Sequence, residues 1–204
     1  KSIAVVNGTS ALQVALRLAG VNAGDEVITQ ALTFIATVNA IIYNGASPIF
    51  IDVDIDTMGL SPNAVDAFLE EFGEMREGIC YNKKTNRKIA ACMPMHTFGF
   101  PVHLDELKAV CDLWNIPIVE DAAESLGTFY KGKHTGTFGR SSGYIQLTLT
   151  AEQTGTLAIG NTLGYDVRGT EYLDAPVGFT TSVGIGSGVW NTIGAGATMY
   201  TVTL

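Results

Sequence analysis

Through Gly139 the chain alternates short apolar runs with segments whose apolar residues return every three or four positions. Ile3–Val6, Glu26–Thr29, Pro48–Ile51, Ile89–Met93 and Ile116–Val119 read as strands. The stretch from Gly8 to about Ala19, then Thr33–Tyr43, Ser61–Phe72 and His103–Asn115, read as helices. Pro62 suits a first helical position, where its fixed φ and missing N–H cost nothing. Leu104, Leu107, Val110, Cys111 and Trp114 recur at helical spacing, which marks them as a core face rather than a reactive one. Strands alternating with helices in this way predict an α/β fold, a three-layer, mostly parallel sheet covered by helices on both faces. Gly73–Arg87 is polar, with Lys83, Lys84 and Arg87, and reads as a solvated connection.

From Arg140 the pattern changes. Residues 140–204 contain no lysine, no histidine and six charged side chains, with threonine and glycine throughout. Tyr144–Thr150 and Thr198–Leu204 alternate apolar and polar residues with period two. Glycines at 155, 160, 164, 169, 178, 184, 186 and 188 punctuate the rest. That combination predicts antiparallel strands with tight turns. The expected organisation is therefore an α/β portion over 1–139 and an antiparallel, Gly/Thr-rich β segment over 140–204.

The formal net charge of −8 argues against a nucleic-acid surface, and no apolar run reaches the twenty residues of a membrane span. Asn7 and Gly8 interrupt the first apolar run too early for a secretory signal, so Lys1–Val6 reads as a strand cut from a longer protein. Cys80, Cys92 and Cys111 have no metal-type spacing, and no metal site is expected; free or buried thiols in a reducing cytoplasm are.

Chemistry concentrates in Ile116–Gly127, IPIVEDAAESLG. Glu120 and Asp121 stand where the apolar strand should end, followed by small residues and a glycine. Ligands of open parallel sheets lie beyond the carboxyl ends of strands. A carboxylate there is placed to hold a cationic ring nitrogen, as on pyridoxal phosphate; the same pair would equally serve as an acidic cap on a following helix. Thr9 or Ser10 can cap the helix after Gly8, and its exposed amides form an anion site suited to a phosphate, or ordinary capping. Phe34, at the entry of the next helix, stands where aromatics are usually core. His96, after Pro94-Met95, reads as a contact to cofactor or substrate, or as a satisfied structural histidine.

Asn7-Gly8-Thr9-Ser10-Ala11-Leu12, Thr33-Phe34-Ile35-Ala36-Thr37, Phe50-Ile51-Asp52-Val53-Asp54, Pro94-Met95-His96-Thr97-Phe98-Gly99, the acidic stretch and Tyr130-Lys131-Gly132-Lys133 follow one another in an order that resembles the DegT/StrS-type nucleotide-sugar aminotransferases. These are fold-type I enzymes using pyridoxal phosphate, and the nearest likeness is to the branch acting on legionaminic-acid-type precursors. The resemblance covers residues 1 to about 139. It implies Thr9 and Ser10 as the phosphate cradle, Phe34 as the stacking face, Asp121 as the catalytic acid at the ring nitrogen and Glu124 near the ring hydroxyl. It further implies His96 at the substrate, glutamate as amino donor, a nucleotide-linked keto sugar as acceptor, surface-polysaccharide biosynthesis as the setting and a cytoplasmic homodimer.

One requirement has no candidate. The lysine that carries the cofactor covalently should follow Gly139 by ten to fourteen residues, where Arg140–Thr154 offers Thr148, Thr150 and Gln153. Lys131 and Lys133 are the nearest amines, on what the resemblance makes a surface hairpin. Covalent attachment is therefore not expected, and the chain reads as a truncated aminotransferase portion joined to an unrelated β module. The competing readings are a non-catalytic β-rich surface protein of phage or envelope type, defined by 140–204, and a cofactor-binding remnant without turnover.

Overall fold

The computed structural model describes residues 2–139, 141–145 and 200–203. Contacts divide the chain into one unit of Lys1–Tyr144 with Thr201–Leu204 and another of Ile145–Tyr200. The antiparallel arrangement expected between 146 and 199 lies outside the described residues.

In the first unit the expected alternation is present. Strand β1 (Ser2–Val5) leads to helix α1 (Gly8–Leu18), β2 (Glu26–Gln30) to α2 (Ile35–Tyr43), and β3 (Ser47–Ile51) to α3 (Pro62–Phe72). Strands β4 (Gly73–Arg76), β5 (Ile79–Asn82) and β6 (Arg87–Met93) follow, then a 3-10 turn at Thr97–Gly99, α4 (Leu104–Leu113) and β7 (Val119–Asp121). Two short strands, β8 (Phe129–Tyr130) and β9 (Lys133–His134), precede β10 (Ser141–Ile145) and, at the end, β11 (Tyr200–Thr203).

One sheet runs β3-β2-β6-β5-β4 and a second β1-β11-β10-β7. Strand β2 is parallel to both β3 and β6. The two sheets join where β6 runs into its loop, through parallel bridges Cys92↔Ile118 and Met95↔Asp121. There Asp121 N–H donates to Pro94 O at 2.8 Å and His96 N–H to Asp121 O at 3.1 Å.

Period-two alternation sorts the strand side chains onto two cores. Val27, Ala91, Met93 and Val119 pack with Leu12, Ala15 and Leu16 of α1 and Ala40 and Ile41 of α2. Their neighbours Ile28, Cys92 and Ile118 pack on the other face with Leu69 of α3 and Leu104, Leu107 and Cys111 of α4. Burying both faces is what gives β2 five buried residues in succession. All three cysteines are free and buried.

Two expectations need correction. Gly73–Arg87 is not a mere connection: β4 and β5 form an antiparallel hairpin that continues onto β6. Its turn is Glu77-Gly78, with φ of 50° and 80°, the successive positive angles that fit the right-handed twist of a two-residue hairpin. The first strand beyond Gly139 also departs from the antiparallel expectation. Strand β10 pairs with β7 in parallel, not antiparallel, with Ser141 opposite Val119 and Gly143 opposite Asp121, so residues 141–145 extend the α/β sheet.

Candidate functional site

Strand β7 ends in Glu120 and Asp121, and alternation turns them to different partners. Glu120 is fully buried. Its carboxylate accepts the amides of Gly136 at 2.7 Å, Phe138 at 2.6 Å and Gly139 at 2.5 Å. His96 Nε2 completes the set at 3.2 Å. Burial pushes this carboxyl up, but the His96 hydrogen bond and the amides of Gly139 and Gly136 outweigh it and hold the group below its ordinary value. Glu120 thus fastens the loop that leads into β10.

Asp121 is also buried, yet its Oδ2 accepts from the Thr37 hydroxyl at 2.6 Å and its Oδ1 from Ala123 N–H at 3.3 Å. Here burial wins: it raises the Asp121 pKa, against the Thr37 and Ala123 hydrogen bonds and with the nearby Glu124 charge adding to the rise. A buried acid with a raised pKa at the end of a parallel strand is placed to take a cationic partner.

Thr37 lies in the first turn of α2, whose N-cap is Phe34 in extended backbone, φ −73° and ψ 144°. Phe34 is 63% exposed and does not join the core. Its amide donates to Met95 Sδ at 3.3 Å, and the Thr33 hydroxyl lies 3.0 Å from the same sulfur. The structure therefore gathers Phe34, Thr37 and Asp121 around Met95. The helix boundary, Ile35 rather than Thr33, is what frees Phe34 to leave the helical path.

Helix α1 is capped by Asn7, not by Thr9 or Ser10: Asn7 Oδ1 accepts Ser10 N–H at 2.7 Å. Thr9 and Ser10 instead occupy the first turn, half-buried, where helix amides lack intrahelical acceptors. The helix packs against both α2 and β7.

Glu124 is exposed and accepts Phe98 N–H at 2.8 Å. Phe98 (φ 52°) and Gly99 (φ 84°) are both left-handed, and a Cβ at Gly99 would lie 2.9 Å from Glu124 O. His96 is fully buried, with Val102 N–H donating to Nδ1 at 3.3 Å, so Nε2 carries the proton toward Glu120. Both ring nitrogens are engaged within the chain. Sequence reasoning missed Thr37 as the partner of Asp121 and Gln30, a buried amide that bonds Met95 N–H and O, Thr97 Oγ1 and Leu60 N–H. The recurrence of threonine at 33 and 37, within the helix expected over Thr33–Tyr43, was the signal available for the first.

A cavity of about 520 Å³ is lined by Lys88, Lys108, Cys111, Asn115 and Phe138 and by none of Thr9, Ser10, Phe34, Thr37, His96, Asp121 and Glu124. Asp54, Asp56 and His103, unmarked by spacing, come within 4.8 Å of one another, and a His103–Asp56 pair at 3.0 Å accounts for the grouping.

Residues 1–145 match the family model of the DegT/DnrJ/EryC1/StrS aminotransferases, six residues beyond the sequence break. EpsN of Bacillus subtilis (strain 168), provisionally named a pyridoxal phosphate-dependent aminotransferase, is 44% identical over 137 residues, 67% of this chain and 33% of that protein. GDP-perosamine synthase of Escherichia coli O157:H7 is 36% identical over 165 residues, 79% of this chain and 41% of the synthase, an alignment too long to end at Gly139. The X-ray structure of an aminotransferase from Psychrobacter cryohalolentis superposes with a TM-score of 0.63 at 25% identity, over 99% of this chain and 37% of that one. The chain spans well under half the length of the relatives it matches.

Proposed function

The chain belongs to the DegT/DnrJ/EryC1/StrS aminotransferase family, and from that premise we propose that it is the cofactor-binding portion of a pyridoxal phosphate-dependent enzyme that moves an amino group from glutamate to a nucleotide-linked keto sugar. The observation that carries the reading is the buried Asp121 carboxyl, held by Thr37 at a strand end beside an exposed Phe34 ring. A synthase of a GDP-linked amino sugar among the relatives supports the substrate class, and a relative named for pyridoxal phosphate supports the cofactor. A homodimer working in the cytoplasm on surface-polysaccharide precursors is part of the same proposal. Among the described residues no helix is long and apolar enough to cross a membrane.

The residues present fit the cofactor. Asp121 Oδ1 receives one long amide contact, leaving it free to accept from a ring N–H. The first turn of α1, with the Thr9 and Ser10 hydroxyls, offers donors for a phosphate at the positive end of a helix. Phe34 offers a flat apolar face, worth roughly 0.5–1.5 kcal/mol beyond area in such stacks. Glu124 stands by for the ring hydroxyl, though its carboxylate is committed to Phe98 N–H. When bound, the cofactor supplies an electron-withdrawing ring that stabilises negative charge on the substrate carbon bearing nitrogen. Asp121 keeps a proton on the ring nitrogen, without which that withdrawal weakens.

Moving the substrate's proton needs a base, and no lysine follows Lys133 in the sequence. General acid–base help is worth roughly 10²–10⁴-fold. The proposed behaviour of this chain alone is therefore cofactor binding without multiple turnover. Purified chain, supplied with pyridoxal phosphate, glutamate and a panel of keto-sugar nucleotides, is followed by 2-oxoglutarate release. The proposal expects less than one equivalent per chain; repeated turnover would overturn the claim that a base is lacking.

A further inference from the structure

We propose that Thr37 is a positioning residue for Asp121: its hydroxyl, itself supported by Thr33, fixes Oδ2 and leaves Oδ1 for the ring nitrogen of the cofactor. This rests on the reading of Asp121 given above.

Three oxygens form a line. Thr33 Oγ1 lies 2.8 Å from Thr37 Oγ1, which lies 2.6 Å from Asp121 Oδ2. An ionised carboxylate brings no proton, so the short contact requires the Thr37 proton to point at it. Thr33 can then donate into the Thr37 oxygen, and successive hydroxyl donors polarise one another. The opposite direction is poor. Reversed, a protonated Asp121 would donate to Thr37, Thr37 to Thr33 and Thr33 to Met95 Sδ at 3.0 Å, so the line would end on a thioether sulfur, a weak acceptor already approached by Phe34 N–H. The relay therefore favours the ionised acid. Thr37 also lies in the first turn of α2, and the positive end of that helix acts in the same sense.

The other groups facing Asp121 do not replace Thr37. His96, from the loop after β6, spends its ring on Glu120 and Val102. Glu124, on the segment that follows, is negative and bonded to Phe98 N–H. Ala123 contributes a long amide contact to the other oxygen. One oxygen held hard and one held loosely is the arrangement a directional ion pair with a ring N–H requires. Phe34 caps the same helix three residues before Thr37, so Thr37 also sets where the acid stands relative to the stacking ring.

The test uses the 204-residue chain and pyridoxamine phosphate, titrated calorimetrically between acid and neutral pH. Thr37→Val is expected to weaken binding at neutral pH by roughly tenfold, the size of one charge-assisted hydrogen bond, and to move the acid limb of the affinity profile to higher pH. Thr37→Ser, which keeps the hydroxyl, retains the parent profile. Thr33→Ala moves the limb in the same direction by less, and carries the test should the valine variant not fold. Asp121→Asn is the reference. If it abolishes binding while Thr37→Val changes neither affinity nor limb, the inference is overturned and the reading of Asp121 stands. If Asp121→Asn binds as the parent does, the reading fails and the inference with it.

Discussion

His96 Nε2 and Glu120 Oε2 stand 3.2 Å apart with both side chains fully buried, and Val102 N–H, donating to Nδ1, fixes which ring nitrogen carries the proton. The pair joins the end of β6 to β7, while the other lone pairs of Glu120 collect the amides of Gly136, Phe138 and Gly139. One carboxylate thus holds the loop that carries the chain from the acidic stretch into β10.

Replacing it with an amide places donors against donors. Glu120→Gln should lower stability at neutral pH by about 1–3 kcal/mol, as for a lost set of charge-assisted bonds. The folded-state pKa of Glu120 is depressed, so its contribution is complete above the unfolded carboxylate range, around pH 4.3, and is lost as pH falls through the lower folded value. Urea midpoints measured down to acid pH should show the parent losing this increment and the variant, having no carboxyl at 120, lacking that acid step.

Asp121 has the opposite sign. Its folded pKa is raised, so the folded chain binds this proton more tightly than the unfolded chain does. The ionised group costs stability once pH rises above the unfolded value, about 3.9, and the cost grows until the folded value is passed. Without cofactor, Asp121→Asn should therefore melt above the parent at neutral pH, and the gap should close in acid. A variant less stable at neutral pH would show that burial is not the dominant influence there.

Gly99 is the backbone counterpart. At φ 84°, with a Cβ 2.9 Å from Glu124 O, it has no room for a side chain and no ordinary L-residue conformation. Gly99→Ala should cost about 1–2 kcal/mol from the left-handed angle alone, with further loss from displacing the backbone at Glu124. Thermal denaturation against Gly78→Ala, whose glycine is also left-handed but open around its Cβ, separates the crowding from the angle.

The helices and central strands were legible because both faces of the sheet are buried, so period two and period three-to-four survive in the sequence. Ile28 against Val27, and Ile118 against Val119, sort to opposite cores as alternation requires. The β4–β5 hairpin was not legible, since three of the four β4 residues are exposed and Met75 and Ile79 face solvent while Cys80 enters the core, so no apolar alternation marks it; Glu77-Gly78 was the available hint. Asn7, Thr9 and Ser10 are all cap-competent residues, and the extended backbone at Asn7, φ −162° and ψ 169°, decided among them. The strand end marked the pair Glu120–Asp121, and the family resemblance, not position, singled out Asp121. Glu120 could not be told from it, because the amides that claim Glu120 come from a loop some sixteen residues later.

In the proposed reading Asp121, the first turn of α1 and Phe34 hold pyridoxal phosphate without a covalent bond. Its most direct test is equilibrium titration of the 204-residue chain with pyridoxal phosphate, followed by borohydride treatment and dialysis. The expected result is a saturable complex with one cofactor per chain, lost in Asp121→Asn, and releasing all its cofactor after reduction. No saturable complex, an Asp121→Asn variant that binds as the parent does, or cofactor fixed to the chain by borohydride would contradict it.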